Sequence, residues 1–220
     1  MKTRQDVLLF PRIGLGVLEH LERHAPVPAL PSADCAPPAG RVILVSSTRA
    51  GEGKSFVAQG LAAALAEQQD GDVIWVDAAF DRPPADNDIF RRGAAGLSEI
   101  MTLGSLQGLA PAGSGPGRLW RIGRGVLAQP ALLQRPGAVA KGLAALRAGF
   151  ALVVLDAPSL DGCGALLAQA DACVLVVDSR RTSRGDARQA LAEARLAPGR
   201  LAGLVLNHRP RPVPRWLGGE

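Results

Sequence analysis

Five stretches of the chain are continuously apolar and rich in β-branched residues, and each has polar residues at or just beyond its end: 41–47, 72–78, 150–158, 172–179 and 201–207. Continuous runs of that length predict strands buried on both faces. A weaker run, RLWRIG (118–123), predicts a sixth strand. Between them, alanine- and leucine-rich stretches predict helices at Phe56–Gln68, Leu97–Leu103, residues 129–148 and Thr182–Leu196. Buried strands alternating with helices predict an α/β domain over 41–207, with a mostly parallel central sheet and helices on both faces. Crossovers are expected to be right-handed. Residues 79–92 and 110–117 are polar or rich in Pro and Gly, and read as loops. Residues 1–40 contain one amphipathic segment, Val17–Arg23, then a linker punctuated by Pro26, Pro28, Pro31, Pro37 and Pro38. Residues 208–220 form a Pro/Arg tail carrying Trp216, a candidate for contact with a partner or membrane surface.

Composition narrows the function classes. At 220 residues and 47% apolar, the chain can bury a sizeable core, which excludes global disorder. Three cysteines, Cys35, Cys163 and Cys173, exclude a disulfide scaffold; the latter two read as buried thiols. No apolar run reaches the ~20 residues of a membrane span. The basic N-terminus is a poor signal peptide, because Pro11 and Arg12 break its apolar stretch. The expected compartment is the cytoplasm. A net charge of +5 permits an acidic partner, but no nucleic-acid motif accompanies it and no nucleic acid is expected. His20 and His24 are one helical turn apart without a third ligand nearby, and read as a solvated helix face.

The polar residues cluster after strand ends, where parallel sheets bind ligands. The strongest motif is SSTRAGEGKS (46–55), between a predicted strand and a predicted helix. Glycines let backbone N–H groups approach phosphate oxygens, and the helix N-terminus adds partial positive charge. Lys54 can reach terminal phosphates and Ser55 can offer its hydroxyl to Mg²⁺. The strict G-x-x-x-x-G-K-[ST] pattern fails at one position, where Thr48 stands in place of glycine.

A phosphate site with Mg²⁺ calls for carboxylates. Asp77 and Asp156 each follow four apolar residues and should emerge at the carboxyl edge of the sheet. Asp156 reads as the acid that orders a Mg²⁺ water. Asp77 reads as a second metal ligand or as a base near the attacking oxygen. Asp178 also ends a strand, but the Ser-Arg-Arg-Thr after it fits a capped helix start, so its expected role is structural.

The order of these pieces resembles the cytoplasmic ATPase domain of bacterial tyrosine kinases and related capsule and exopolysaccharide ATPases, within the MinD/ParA-like deviant-Walker P-loop group. The resemblance runs from about Arg41 to Asn207. Its carriers are SSTRAGEGKS, VIWVDAAFDRP (73–83), GLSEIM (96–101), LRAGFALVVLDAP (146–158), DACVLVVDSRRTSR (171–184) and LAGLVLNHRP (201–210). It implies a three-layer P-loop NTPase fold, with ATP and Mg²⁺ as cofactors. Gly51, Glu52, Gly53, Lys54, Ser55 and Phe56 would then surround the phosphates, and Ser55, Asp77 and Asp156 would hold the metal. Asn207 would approach adenine, with His208 or Arg209 near the base. Arg49 falls where the MinD-type group has its signature lysine. The family's second acidic motif, D-x-D-x-R, reads here Asp77-Ala78-Ala79-Phe80-Asp81, with Arg82 one position late. One carboxylate is therefore replaced by Ala79. The family's autophosphorylated tyrosine cluster has no counterpart, since the chain has no tyrosine. The E-x-x-R-x-x-R stretch that some relatives use to form rings is not found in residues 1–40.

Two functions remain open. One is an active kinase-like ATPase serving polysaccharide synthesis or export, with Lys54, Asp77 and Asp156 as its catalytic residues. The other is a nucleotide-binding regulatory module with little turnover. A MinD/ParA-like positioning ATPase is a third, looser reading. The resemblance implies a membrane-spanning polysaccharide co-polymerase or adaptor as a partner, a peripheral place at the inner membrane face, and a second copy of the chain as a further candidate partner.

Overall fold

In the computed structural model, residues 6–24, 40–82, 96–106 and 118–208 are described. The apolar runs form strands β1 (Arg41–Ser47), β2 (Val73–Asp77), β3 (Leu119–Ile122), β4 (Leu152–Ser159), β5 (Ala172–Asp178) and β6 (Leu201–Asn207). They make one sheet in the order β3-β2-β4-β1-β5-β6, and every pairing is parallel. Helices α1 (Asp6–Arg23) and α2 (Lys54–Gln68) cover one face. Helices α3 (Leu97–Leu103), α4 (Pro130–Leu133), α5 (Pro136–Gly149), α6 (Ala165–Gln169) and α7 (Arg184–Glu193) lie on the other side. The result is the expected three-layer α/β architecture.

Strand alternation divides the core between the two faces. Ile43, Val45, Val154 and Val174 pack with Val57, Leu61 and Leu65 of α2. Val42, Leu44, Leu155 and Leu175 pack with Ile100, Leu143, Leu146 and Leu166 on the opposite face. β1 lies between β4 and β5, so chain order reverses beside it. Its carboxyl end is the crevice where sheets of this kind bind ligands.

Three elements depart from the sequence pattern. α1 starts at Asp6 and runs through Pro11, well before the expected Val17. Docking overrides the proline here: Val17 and Leu21 are buried against α2, and the Pro11 carbonyl accepts a hydrogen bond from Gln68 Nε2 at 2.9 Å. The close α1–α2 approach depends on Gly60, where a Cβ would lie 2.4 Å from the Phe10 ring. The helix expected over 129–148 is two helices, each opened by a proline at its first position, Pro130 and Pro136. β6 is half-exposed instead of buried: Ala202 and Val205 pack on the α1/α2 side, while Leu204 and Leu206 are 45% and 55% exposed. Its place at the end of the sheet explains the difference, because a continuous apolar run reads the same at an edge as in the middle. His20 is also buried, not solvated; it stacks on His24 with ring centroids 4.3 Å apart. Cys163 and Cys173 are buried thiols, as expected, and burial pushes them up to about 11 and about 12. Cys35, the 110–117 loop, the proline linker and Trp216 lie outside the described residues.

Candidate phosphate-loop site

The loop between β1 and α2 turns on two glycines with positive φ, Gly51 at 84° and Gly53 at 91°. Gly53 is required twice over, since a Cβ there would also lie 2.1 Å from Asn207 Nδ2. The loop delivers the chain into the N-terminus of α2, a 15-residue helix whose first residue is Lys54, 3% exposed. Anions are favoured at such a terminus by its unpaired N–H groups and its dipole.

Glu52 holds the loop to the rest of the sheet edge. It is 2% exposed, and its carboxylate accepts four hydrogen bonds. Oε2 accepts from Thr48 Oγ1 at 2.6 Å and Arg49 N at 2.9 Å, and Oε1 from Thr182 Oγ1 at 2.5 Å and Asp178 N at 3.1 Å. Burial opposes its ionisation, but these bonds, led by Thr182, outweigh burial and hold the carboxyl below its usual range. Glu52 is thus a brace inside the protein, joining the phosphate loop to β5 and the turn after it. Asn207 braces the same loop from β6: Nδ2 donates to the Glu52 carbonyl at 2.9 Å, and Oδ1 accepts from His208 N at 2.9 Å.

Two other residues around the loop turn outward. Phe56 is 56% exposed and meets Phe10 of α1 edge-on, with centroids 5.4 Å apart. Arg49 is exposed and lies 3.8 Å from Asp186 on α7. Arg209 lies outside the described residues. Asp178 is structural, but as the anchor of a turn: the helix start expected just after it comes later, with Ser183 as the cap of α7. Oδ1 accepts from Arg180 N at 2.9 Å and Oδ2 meets His208 Nδ1 at 2.9 Å. The Arg180 side chain chiefly keeps its carboxyl well below the usual range.

The two aspartates emerge side by side, as neighbours in the β2–β4 register. Each has an arginine. Arg124, which follows β3, places Nη2 at 2.7 Å and Nε at 3.1 Å from Asp77 Oδ2. Asp77 Oδ1 accepts from Ala79 N at 3.1 Å. Arg124 Nη1 also donates to the Arg82 carbonyl. Arg82 places Nη2 at 2.6 Å from Ser55 Oγ and at 3.0 Å from Asp156 Oδ2. Asp156 Oδ1 is buried with no hydrogen-bond partner. Burial raises the Asp156 carboxyl to about 6, although the Ser55 hydroxyl, Arg82 and Lys54 all pull it down.

This arrangement bears on the metal expected from the sequence. The three groups assigned to Mg²⁺ all have protein partners: Asp77 is held by Arg124, and Ser55 and Asp156 share Arg82. Mg²⁺ in such sites takes its protein ligands from the loop hydroxyl and one or two carboxylates, and here one guanidinium nitrogen already occupies both Ser55 Oγ and Asp156 Oδ2. Among the described residues there is no cluster of three or more His, Cys, Asp or Glu side chains suited to a metal. As folded here, the residues do not fit the ion.

Sequence reasoning missed both arginines. Arg82 was visible only as a motif residue one place late. Arg124 carried the same signal that marked the aspartates, a charged residue just past a predicted strand, but on the weakest strand of the set.

No family model and no curated protein matches the chain. Solved structures do. The kinase domain of VpsO aligns with a TM-score of 0.65 at 20% identity, covering 94% of this chain and 100% of that one. The kinase domain of the Escherichia coli tyrosine kinase ETK aligns with a TM-score of 0.62 at 20% identity, covering 80% and 71%. A ParA family ATPase from Chlorobium tepidum aligns with a TM-score of 0.54 at 22% identity, covering 77% and 74%. At these identities the likeness is one of fold, and it agrees with the resemblance read from the motifs.

Proposed function

We propose that the chain is a nucleotide-binding regulatory module, holding ATP or ADP on its phosphate loop and turning it over slowly. The observation that carries this reading is the contrast inside one site. The phosphate cradle has most of its parts: positive-φ glycines, a braced loop, and Lys54 opening a long helix, with Thr48 in place of the first glycine. The acidic half is not set for phosphoryl transfer. Asp77 is locked in a buried ion pair, Ala79 offers no carboxylate, and Asp156 is paired with Arg82. Phosphoryl transfer depends on positioned charge around the transferring group, so a cradle without an available acid–metal centre favours binding over turnover. The Asn207 amide braces the loop with one hydrogen of Nδ2 and one lone pair of Oδ1, which leaves a donor and an acceptor for a base.

The expected docking target is the membrane-spanning polysaccharide co-polymerase or adaptor implied by the resemblance, at the inner membrane face. Among the described residues no helix is long and apolar enough to cross a membrane. Co-expression with such a partner, followed by membrane fractionation and co-purification with and without nucleotide, tests that part.

The central experiment is equilibrium binding of ATP and ADP alongside phosphate release. Wild type should bind, and Lys54→Met should weaken binding by tenfold or more while its melting transition stays cooperative. Phosphate release by wild type should stay near the Lys54→Met background. Turnover well above that background would favour the active ATPase instead. Loss of binding selectivity for phosphorylated nucleosides over nucleoside alone would remove the phosphate-loop reading altogether.

A further inference from the structure

The disagreement between the residues and the expected metal points to a specific kind of ligand. We infer that this site takes its nucleoside polyphosphate free of divalent cation, with the Arg82 guanidinium standing where the ion would stand, between Ser55 and Asp156. The inference rests on the phosphate-loop reading above and goes beyond it in naming the ionic form of the ligand.

The geometry is direct. In phosphate-loop sites the hydroxyl after the lysine and a strand-end aspartate are the protein groups that hold Mg²⁺ or its waters. Here one nitrogen, Arg82 Nη2, touches both, at 2.6 Å and 3.0 Å. Those are the lengths of charge-assisted hydrogen bonds. Both contacts use Nη2 alone; among the described residues, Nε and Nη1 make no hydrogen bond. The Arg82 side chain is 41% exposed, so a phosphate arriving at the loop can reach that remaining fork of donors. A planar guanidinium matches phosphate oxygens in pairs, and it is charged at every relevant pH.

The second arginine makes the arrangement hard to undo. A metal that displaced Arg82 would meet Asp156 alone, without the Asp77 carboxylate that the resemblance also assigns to it. Asp77 is saturated by Arg124 and Ala79 N, and its ion pair is less than 10% exposed on both sides. Arg124 also donates to the Arg82 carbonyl, which fixes the backbone from which Arg82 reaches Asp156. Ala79, where the resemblance leads one to expect an acid, completes the pattern. Lys54 at the helix start and the remaining donors of Arg82 are the cations that would meet a polyanion carrying no cation of its own. Ala79, Arg124 and the reach of Arg82 thus share one consequence.

The test compares ATP and ADP affinity for the full chain in buffer with Mg²⁺ and in buffer with EDTA. Wild type should bind in both, with dissociation constants within about threefold. Arg82→Ala should weaken binding in EDTA by tenfold or more, as expected when a charge-assisted contact to phosphate is lost, and part of that loss should return when Mg²⁺ is added. Arg82→Lys, which keeps a charge but not the fork, should fall between. A tenfold or greater loss in wild type on adding EDTA overturns the inference while leaving nucleotide binding intact. So does an Arg82→Ala variant that binds metal-free nucleotide as wild type does. Absence of binding in both buffers overturns the underlying phosphate-loop reading as well. Should Arg82→Ala prove poorly folded, the wild-type comparison between the two buffers decides alone.

Discussion

Asp77 and Asp156 are neighbours on adjacent strands, both buried, and both paired with an arginine. They nevertheless describe two different kinds of pair. Both oxygens of Asp77 are satisfied, by Ala79 N and by two nitrogens of Arg124, and solvent reaches neither partner appreciably. Asp156 has one oxygen on Arg82 and the other buried with no partner, and Arg82 itself is 41% exposed. The charges are the same. What differs is saturation and access. A saturated, enclosed pair has nothing left to offer a ligand and behaves as structure. A pair with an orphan oxygen and an exposed cation is poised to change partners. That is why the first belongs to the scaffold of the site and the second to its chemistry.

Removing Arg124 should have the largest effect, because it leaves the Asp77 carboxylate buried and uncompensated. Losing one member of a buried pair typically costs ~3–5 kcal/mol. Arg124→Leu should therefore lower the urea midpoint strongly, and adding Asp77→Asn should recover part of the loss. A single-variant cost below ~1 kcal/mol would show that the pair is not a lock. It would also return Asp77 to the list of available carboxylates.

Much of this is legible in the sequence alone. The buried strands, the phosphate loop and the two strand-end aspartates follow from apolar runs and their polar punctuation, which are local properties. What was not legible is pairwise and distant. Glu52 reads in sequence as a loop residue near phosphate, yet its partners Asp178 and Thr182 are 126 and 130 residues away. Phe56 reads as part of the phosphate wrap, but a docked N-terminal helix gives it Phe10 as a neighbour. The half-exposed face of β6 depends on which strand ends the sheet, and apolar content does not encode that. Arg124 and Asp77 are 47 residues apart and meet only because β3 lies beside β2.

Asp156 supplies the intermediate effect, and its sign runs against intuition. The usual carboxyl value is 3.8, and burial moves this one to about 6 in the folded chain. Across that window the folded protein keeps a proton that the unfolded chain has released. Stability therefore falls as pH rises from about 4 to about 6 and levels off above. The shift corresponds to ~3 kcal/mol at most. Asp156→Asn removes the titration, so the variant should be more stable than wild type at pH 7 and closer to it at pH 4. A functional carboxylate held at a cost to stability behaves in this way. Urea denaturation at the two pH values decides it: an unchanged difference between variant and wild type would mean that burial is not what governs this group.

Arg82→Ala should have the smallest effect on stability, and it sharpens the contrast most. Arg82 is 41% exposed, and Asp156, whose carboxyl already titrates at about 6, can take up a proton when the cation beside it goes, so the loss stays on the order of 1 kcal/mol. The urea midpoint at pH 7 should therefore move far less than for Arg124→Leu, although each variant removes the arginine from an aspartate on the same sheet edge. The pH profile should still register the change. The Arg82 charge favours ionised Asp156, so without it the carboxyl titrates higher and the fall in stability extends above pH 6. A midpoint loss as large as that of Arg124→Leu would mean that Arg82 is a second structural lock. An unaltered pH profile would mean that its contact with Asp156 carries no electrostatic weight. Either result would erase the distinction between the two pairs; a small midpoint shift with a displaced profile would establish it.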